Sequence, residues 1–242
     1  ILSKFASKDL KVVLGGDGGD EMFLGYKRYT AALWWDTFTK YRVAFVIKPI
    51  SKLFLYFLNL PPIAKCFNER LSANLRKLFR VFSSKTPLEA YIQITRGSLP
   101  DKNHLLDTDN LHSRRDLPNS SKHLSAIKTF RYLDLRYFLP DMVLHKSDGA
   151  SMYHGLELRS PLLSKTLFEE LTQYPLEMFM TYSKLKLPLH KLLNKLDLNN
   201  VARKKRGFTP PLSDILRTTF RHEILRFCNE EHLLKQNLFK VP

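Results

Sequence analysis

The residues best placed to do chemistry lie in one short run, Leu14-Gly15-Gly16-Asp17-Gly18-Gly19-Asp20-Glu21. It holds four of the chain's nine glycines. Glycine admits positive φ and lets a ligand come close to the backbone. A strand, a glycine turn and a helix start together present backbone N–H groups to a phosphate. Asp17 and Asp20 fall in the same turn. Carboxylates beside a phosphate site call for Mg²⁺ or a general-base role. A tight surface turn with a capped helix would account for the same residues without any chemistry.

Three named loops do not fit. A phosphate-binding P-loop ends in Gly-Lys-Ser/Thr, where this chain has Asp20-Glu21. A dinucleotide fingerprint would need a third glycine at Glu21. A calcium-binding EF-hand loop opening at Asp17 would need Glu where Arg28 stands.

The elements that must hold this turn can be read outward from it. Lys11 to Leu14 is short, β-branched and apolar, and predicts a buried strand of the parallel type. Asp20 and Glu21 open a helix, where acidic residues suit the dipole, and Glu21 reads as a helix-start residue. Helical patterns follow over Tyr29–Leu60, Leu71–Phe82, Pro87–Arg96, Leu124–Phe138 (ended by Pro140), Leu162–Gln173, Leu187–Leu196 and Leu212–Asn229. Asp101 to Lys122 is polar and turn-rich and reads as a loop. The expectation is a mostly helical chain with a single strand near residues 11–15, and partner strands are not evident.

Composition narrows the class. The chain has 242 residues, 44% of them hydrophobic, enough for a packed core. Cys66 and Cys228 are its two cysteines, so neither a disulfide scaffold nor a multi-cysteine zinc module is available, and a reducing compartment fits. The formal net charge is +16, but the basic residues are scattered and no nucleic-acid motif accompanies them. Nucleic acid is therefore not expected as a partner. Within the apolar stretch Val43–Ala64 the longest charge-free run is Leu53 to Ala64. That is short of the roughly 20 residues a spanning helix needs, and a buried helix is expected there in preference to an interfacial one.

Four segments, taken together and in order, carry a resemblance. They are VVLGGDGGDEMFLGYKRY (Val12 to Tyr29), LRYFLPDMVLHKSDGASMYHGLELRSPLL (Leu135 to Leu163), KLPLHKLL (Lys186 to Leu193) and KKRGFTPPLSDILR (Lys204 to Arg217). They resemble the synthetase domain of glutamine-dependent asparagine synthetases and span almost the whole chain. The resemblance implies that residues 1–242 are the C-terminal portion of an asparagine synthase domain. The complete domain would be α/β, an adenine-nucleotide α-hydrolase-like fold of the ATP-pyrophosphatase type. It implies ATP and Mg²⁺, cytoplasmic location, and a two-step reaction. Aspartate is activated as an acyl-adenylate, and ammonia from glutamine, supplied by a separate N-terminal glutaminase domain, then displaces AMP.

The resemblance also assigns roles. Gly15 and Gly16 match a pair whose backbone contacts ATP, with Gly15 standing where the family usually has Ser. Asp17 matches an acidic residue linked to formation and aminolysis of the intermediate. Asp20 matches a second carboxylate near Mg²⁺ or pyrophosphate. Gly149, after Asp148, replaces the family's usual cation, and Lys146 is the candidate substitute. Glu157 and Arg159 match a Glu-x-Arg pair, expected here as a buried structural ion pair. Lys205 and Arg206 could close over the phosphates, or could equally be a solvated loop. His154 is expected to be packed rather than metal-bound.

The family's Ser-Gly-Gly-x-Asp-Ser pyrophosphatase motif does not occur in these residues, nor does the glutaminase domain's N-terminal cysteine. A catalytically incompetent remnant, or an amidotransferase acting on another carboxylate such as a sugar acid, are the alternatives. The chain by itself is expected to be inactive.

Overall fold

The computed structural model describes residues 1–41, 43–58, 69–95, 124–198, 212–229, 232 and 235. The chain divides into two compact units, one of Ile1–Thr95 with Leu117–Leu198 and one of Arg96–Asp116 with Asn199–Pro242. The expected loop over Asp101–Lys122 lies outside the described residues, as do Lys205 and Arg206.

In the first unit, helix α1 (Leu2–Ala6) precedes strand β1 (Val12–Leu14), and α2 (Gly19–Met22) follows the glycine turn. Then come α3 (Lys27–Lys40), α4 (Ala44–Leu58), α5 (Glu69–Ser83) and α6 (Pro87–Thr95). Helix α7 (Ala126–Leu133) runs into wide π turns over Asp134–Leu144 and then into α8 (His145–Met152). Strand β2 (Glu157–Arg159), α9 (Lys165–Thr172) and α10 (Leu187–Lys195) complete the unit. The described part of the second unit is α11 (Leu212–Arg217) and α12 (Arg221–Phe227).

The mostly helical reading holds, with two corrections to the strand. β1 is not alone: it pairs in parallel with β2, Val13 opposite Leu158. Nor is it buried. Val12 and Leu14 are exposed, because no described residue covers that face of the two-stranded sheet. Glu157 and Arg159, expected as a buried pair, point from one exposed face of β2, as the two-residue period of a strand requires. They still meet at 2.8 Å, with side chains more than half exposed.

Two helical expectations also change. Pro140 does not end its helix. The widened turns pass through it, and the His145 N–H donates to the Pro140 carbonyl five residues back. An imino nitrogen has no hydrogen to give, and the π spacing accommodates it where an α ladder would break. The helix within Val43–Ala64 is not buried. Ser51 packs inward, while Phe45, Val46, Ile50, Leu53, Tyr56 and Phe57 are exposed. No helix among the described residues is long and apolar enough to cross a membrane.

The core gathers Met22, Leu24, Tyr29, Ala32, Trp35, Val81, Tyr91, Ile127, Phe130, Leu133 and Phe179. It surrounds a fully buried carboxylate, Asp134. Tyr91 Oη donates to Asp134 Oδ1 at 2.7 Å, and Arg28 Nε to Oδ2 at 2.8 Å. The Arg28 guanidinium lies 3.9 Å from the Tyr26 ring centre and 4.3 Å from that of Phe138. Burial pushes the Asp134 carboxyl up, and Arg28 and the hydroxyl donors oppose that shift. Asp36 of α3 fastens α7 by accepting from the Ala126 and Ile127 N–H groups at 2.6 and 3.2 Å. It caps that helix from a distant part of the chain.

Candidate functional site

The sheet ends where the glycine turn begins. The Gly15 N–H donates to the Arg159 carbonyl at 2.8 Å, extending the parallel ladder by one bond. That amide is spent on the sheet, so Gly15 does not offer it to a ligand. The amides of Gly16, Asp17 and Gly18 donate no backbone hydrogen bond among the described residues. A Cβ on Gly16 would meet nothing within 4 Å. Gly18 is left-handed at φ 85°, and a Cβ there would collide with Leu163. The turn thus needs glycine at Gly18 for its path and leaves Gly16 open to approach.

Each carboxylate of the turn is held from a different segment. Ser147 Oγ of α8 lies 2.8 Å from Asp17 Oδ2 and 2.7 Å from the Val143 carbonyl, so its single proton serves either acceptor. Asp20 Oδ1 lies 2.9 Å from Lys186 Nζ, with both side chains about three-quarters buried. Lys186 reaches it from the loop before α10, where its backbone is left-handed at φ 54°. A non-glycine residue in that region stores strain, and such strain gathers at functional side chains. Here it stands at the residue that meets the acidic turn.

Local folding explains why Asp20 is offered. α2 ends after one turn at Leu24, fully buried at φ 54°, and the Gly25 N–H returns to the Asp20 carbonyl at 2.8 Å. A Cβ on Gly25 would collide with Asp20 Oδ1 and Lys186 Cε. Glycine at that position lets the ion pair lie against the backbone. Glu21, read from sequence as a helix-start residue, is 1% exposed and accepts from Tyr26 Oη at 2.6 Å. Burial pushes its carboxyl up, against the lowering by the Tyr26 hydrogen bond. The same burial raises the Tyr26 phenol, with Glu21 adding to it.

The other expected site residues fall less centrally. Lys146 precedes Ser147 on α8, is exposed, and makes no ion pair among the described residues. Asp148 is exposed in the same turn. A Cβ on Gly149 would meet nothing within 4 Å, so the missing cation leaves open space. Lys146 lies three residues before it on the same helix face. His154 packs edge-on to Tyr153 at 5.0 Å. Among the described residues no group of three or more His, Cys, Asp or Glu gathers to hold a metal.

Lys186 is not evident from the sequence, because KLPLHKLL looks like a plain helix opening. The available signal is a lysine immediately before a helix start carrying Pro188.

The asparagine synthase family model matches residues 1–242. The chain belongs to the asparagine synthase family. Among its relatives is asparagine synthetase [glutamine-hydrolyzing] 1 of Bacillus subtilis strain 168, 27% identical over 239 residues, which are 95% of this chain and 35% of that protein. Putative asparagine synthetases [glutamine-hydrolyzing] of Mycobacterium bovis and Mycobacterium tuberculosis are 27% identical over 223 residues, 89% of this chain and 32% of theirs. The chain therefore spans about a third of the length of these family members. No solved structure matches it significantly.

Proposed function

We propose that this chain carries the acidic side of an ATP-dependent amidotransferase site. There a carboxylate substrate, aspartate or a similar acid, is activated through its acyl-adenylate and amidated by ammonia drawn from glutamine. The observation that carries the reading is the convergence of three family-like segments on one turn. Asp17 meets Ser147 of the second segment, and Asp20 meets Lys186 of the third.

The residues present fit the nucleotide and its cation. Mg²⁺ keeps several waters and is usually held by one or two carboxylates plus phosphate oxygens, so a dedicated protein cage is not needed. Asp20 supplies such a carboxylate in the turn. The amides of Gly16, Asp17 and Gly18, which donate no backbone hydrogen bond among the described residues, precede α2, and the space around Gly16 is open. Bound Mg²⁺ would neutralise phosphate charge, and ATP would supply the adenylyl group that activates the acid.

The chain's own groups divide the remaining work. Lys186 is a point charge suited to a phosphate or pyrophosphate oxygen, and Asp20 holds it ready until then. Asp17 would take a proton as ammonia attacks, with the Ser147 hydroxyl as its hydrogen-bond partner. Lys146 is the candidate for the positive charge that Gly149 does not provide. Lys205 and Arg206 remain candidates for a cationic loop over the phosphates.

Titrating Mg²⁺-pyrophosphate into the full chain, with isothermal calorimetry as readout, tests this assignment. Binding should weaken tenfold or more in Lys186→Met. Unchanged binding in that variant would contradict the phosphate role.

A further inference from the structure

Away from the glycine turn, a groove of about 560 Å³ runs between α7, α9 and the chain after α9, lined by Lys128, Arg131, Tyr132, Phe168, Tyr174 and Leu176 among others. Its unusual member is Arg131, which is only 8% exposed. One guanidinium nitrogen donates to the Met22 carbonyl at 3.3 Å. Its Nε is buried with no hydrogen-bond partner among the described residues. The charge lies 5.7 Å from the Phe168 ring centre and 5.8 Å from that of Phe179, and no described carboxylate pairs with it. Burial lowers its pKa, and the only opposing influence is Tyr29. A buried guanidinium left this way is costly unless an anion meets it.

We propose that this groove is a binding site for a small monocarboxylate with an apolar body, the carboxylate on Arg131 and the body against Phe168, Tyr174 and Leu176. Nε is closed off and one terminal nitrogen serves Met22, so the carboxylate would take a charge-assisted hydrogen bond from the remaining outer guanidinium N–H groups. Lys128 adds a second cation and Glu177 one carboxylate on the same lining, so one net positive charge favours a monoanion. Most of the remaining lining is ring or aliphatic surface, and the volume lies in the range of small-molecule sites. The site is separate from Asp17, Asp20 and Lys186, and it stands or falls independently of the amidotransferase reading.

The test is calorimetric titration of the full chain with 4-phenylbutyrate, its neutral amide 4-phenylbutyramide, and inorganic phosphate. The acid should bind at least tenfold more tightly than either comparator. Arg131→Met should abolish that preference while keeping the wild-type circular dichroism. Thr172→Trp changes an exposed lining residue to fill the groove and leaves Arg131 in place, and it should also weaken the acid tenfold or more. Equal binding of acid and amide, or undiminished binding in Thr172→Trp or in a folded Arg131→Met, would overturn the proposal. Phosphate binding as tightly as the acid would overturn the requirement for an apolar body.

Discussion

Lys186 Nζ lies 2.9 Å from Asp20 Oδ1, joining the loop before α10 to the first turn of α2. Both groups retain some solvent contact, so screening limits the pair to about 1 kcal/mol. A double-mutant cycle with Lys186→Met and Asp20→Asn, followed by urea unfolding, should return a coupling of about that size. Strict additivity would mean that the contact contributes nothing to the fold.

Two glycines on either side of α2 should respond differently. Gly25→Ala drives a methyl into Asp20 Oδ1 and Lys186 Cε. Both atoms are the far ends of flexible side chains that can swing aside, so the cost should be about 1 kcal/mol, the worth of the displaced ion pair. Gly16→Ala meets nothing within 4 Å and should change stability by no more than about 0.5 kcal/mol. Thermal unfolding of the two variants side by side would show the contrast, and equal losses would refute it.

The buried pair of Arg28 and Asp134 makes an asymmetric prediction. Arg28→Met strands a fully buried carboxylate and should cost about 3–5 kcal/mol. Arg28→Met combined with Asp134→Leu removes both charges and should recover a large part of that loss. Chemical denaturation of the single and double variants checks the order, and a double variant no more stable than the single would contradict it.

Burial of Glu21 should give the fold a pH dependence. Its carboxyl is raised in the folded state by burial, so the folded chain binds the proton more strongly than the unfolded one. The stabilisation is complete below the ordinary carboxylate range and is lost as pH rises through the higher folded value. Glu21→Gln keeps an acceptor for Tyr26 Oη and removes the charge. Melting temperatures taken across the acidic range should fall less with rising pH in the variant than in the wild type. Parallel curves would show that Glu21 does not titrate differently on folding.

How much of this was legible depended on which residues speak locally. The glycine turn did, because Gly15, Gly16, Gly18 and Gly19 between an apolar run and an acidic helix start mark a turn whose path and close approaches side chains would obstruct. β2 did not. Glu157-Leu158-Arg159 is three residues with one apolar side chain, and only pairing with β1 makes it a strand. Lys186 was hidden for a related reason: its contact with Asp20 depends on the loop that returns from Phe179, closed by the Leu187 N–H to the Phe179 carbonyl at 2.8 Å. Pro140 misled because a helix stop is the α-ladder expectation, and the ladder there is widened. The helix Ala44–Leu58 misled because apolar composition does not say which face finds a neighbour.

On the proposed function, Asp17, Asp20 and Lys186 belong to a site that needs a pyrophosphatase loop absent from these 242 residues. Pyrophosphate release from ATP, with aspartate, ammonia and Mg²⁺ present, is the deciding measurement. Two proteins would be compared: the chain itself, and the chain joined behind the preceding portion of the Bacillus subtilis relative, if that portion carries Ser-Gly-Gly-x-Asp-Ser. No aspartate-dependent release is expected from the chain alone, release is expected from the joined protein, and Asp17→Asn should lower that release a hundredfold or more. Release by the chain alone, or release by the joined protein undiminished in Asp17→Asn, would contradict the proposed function.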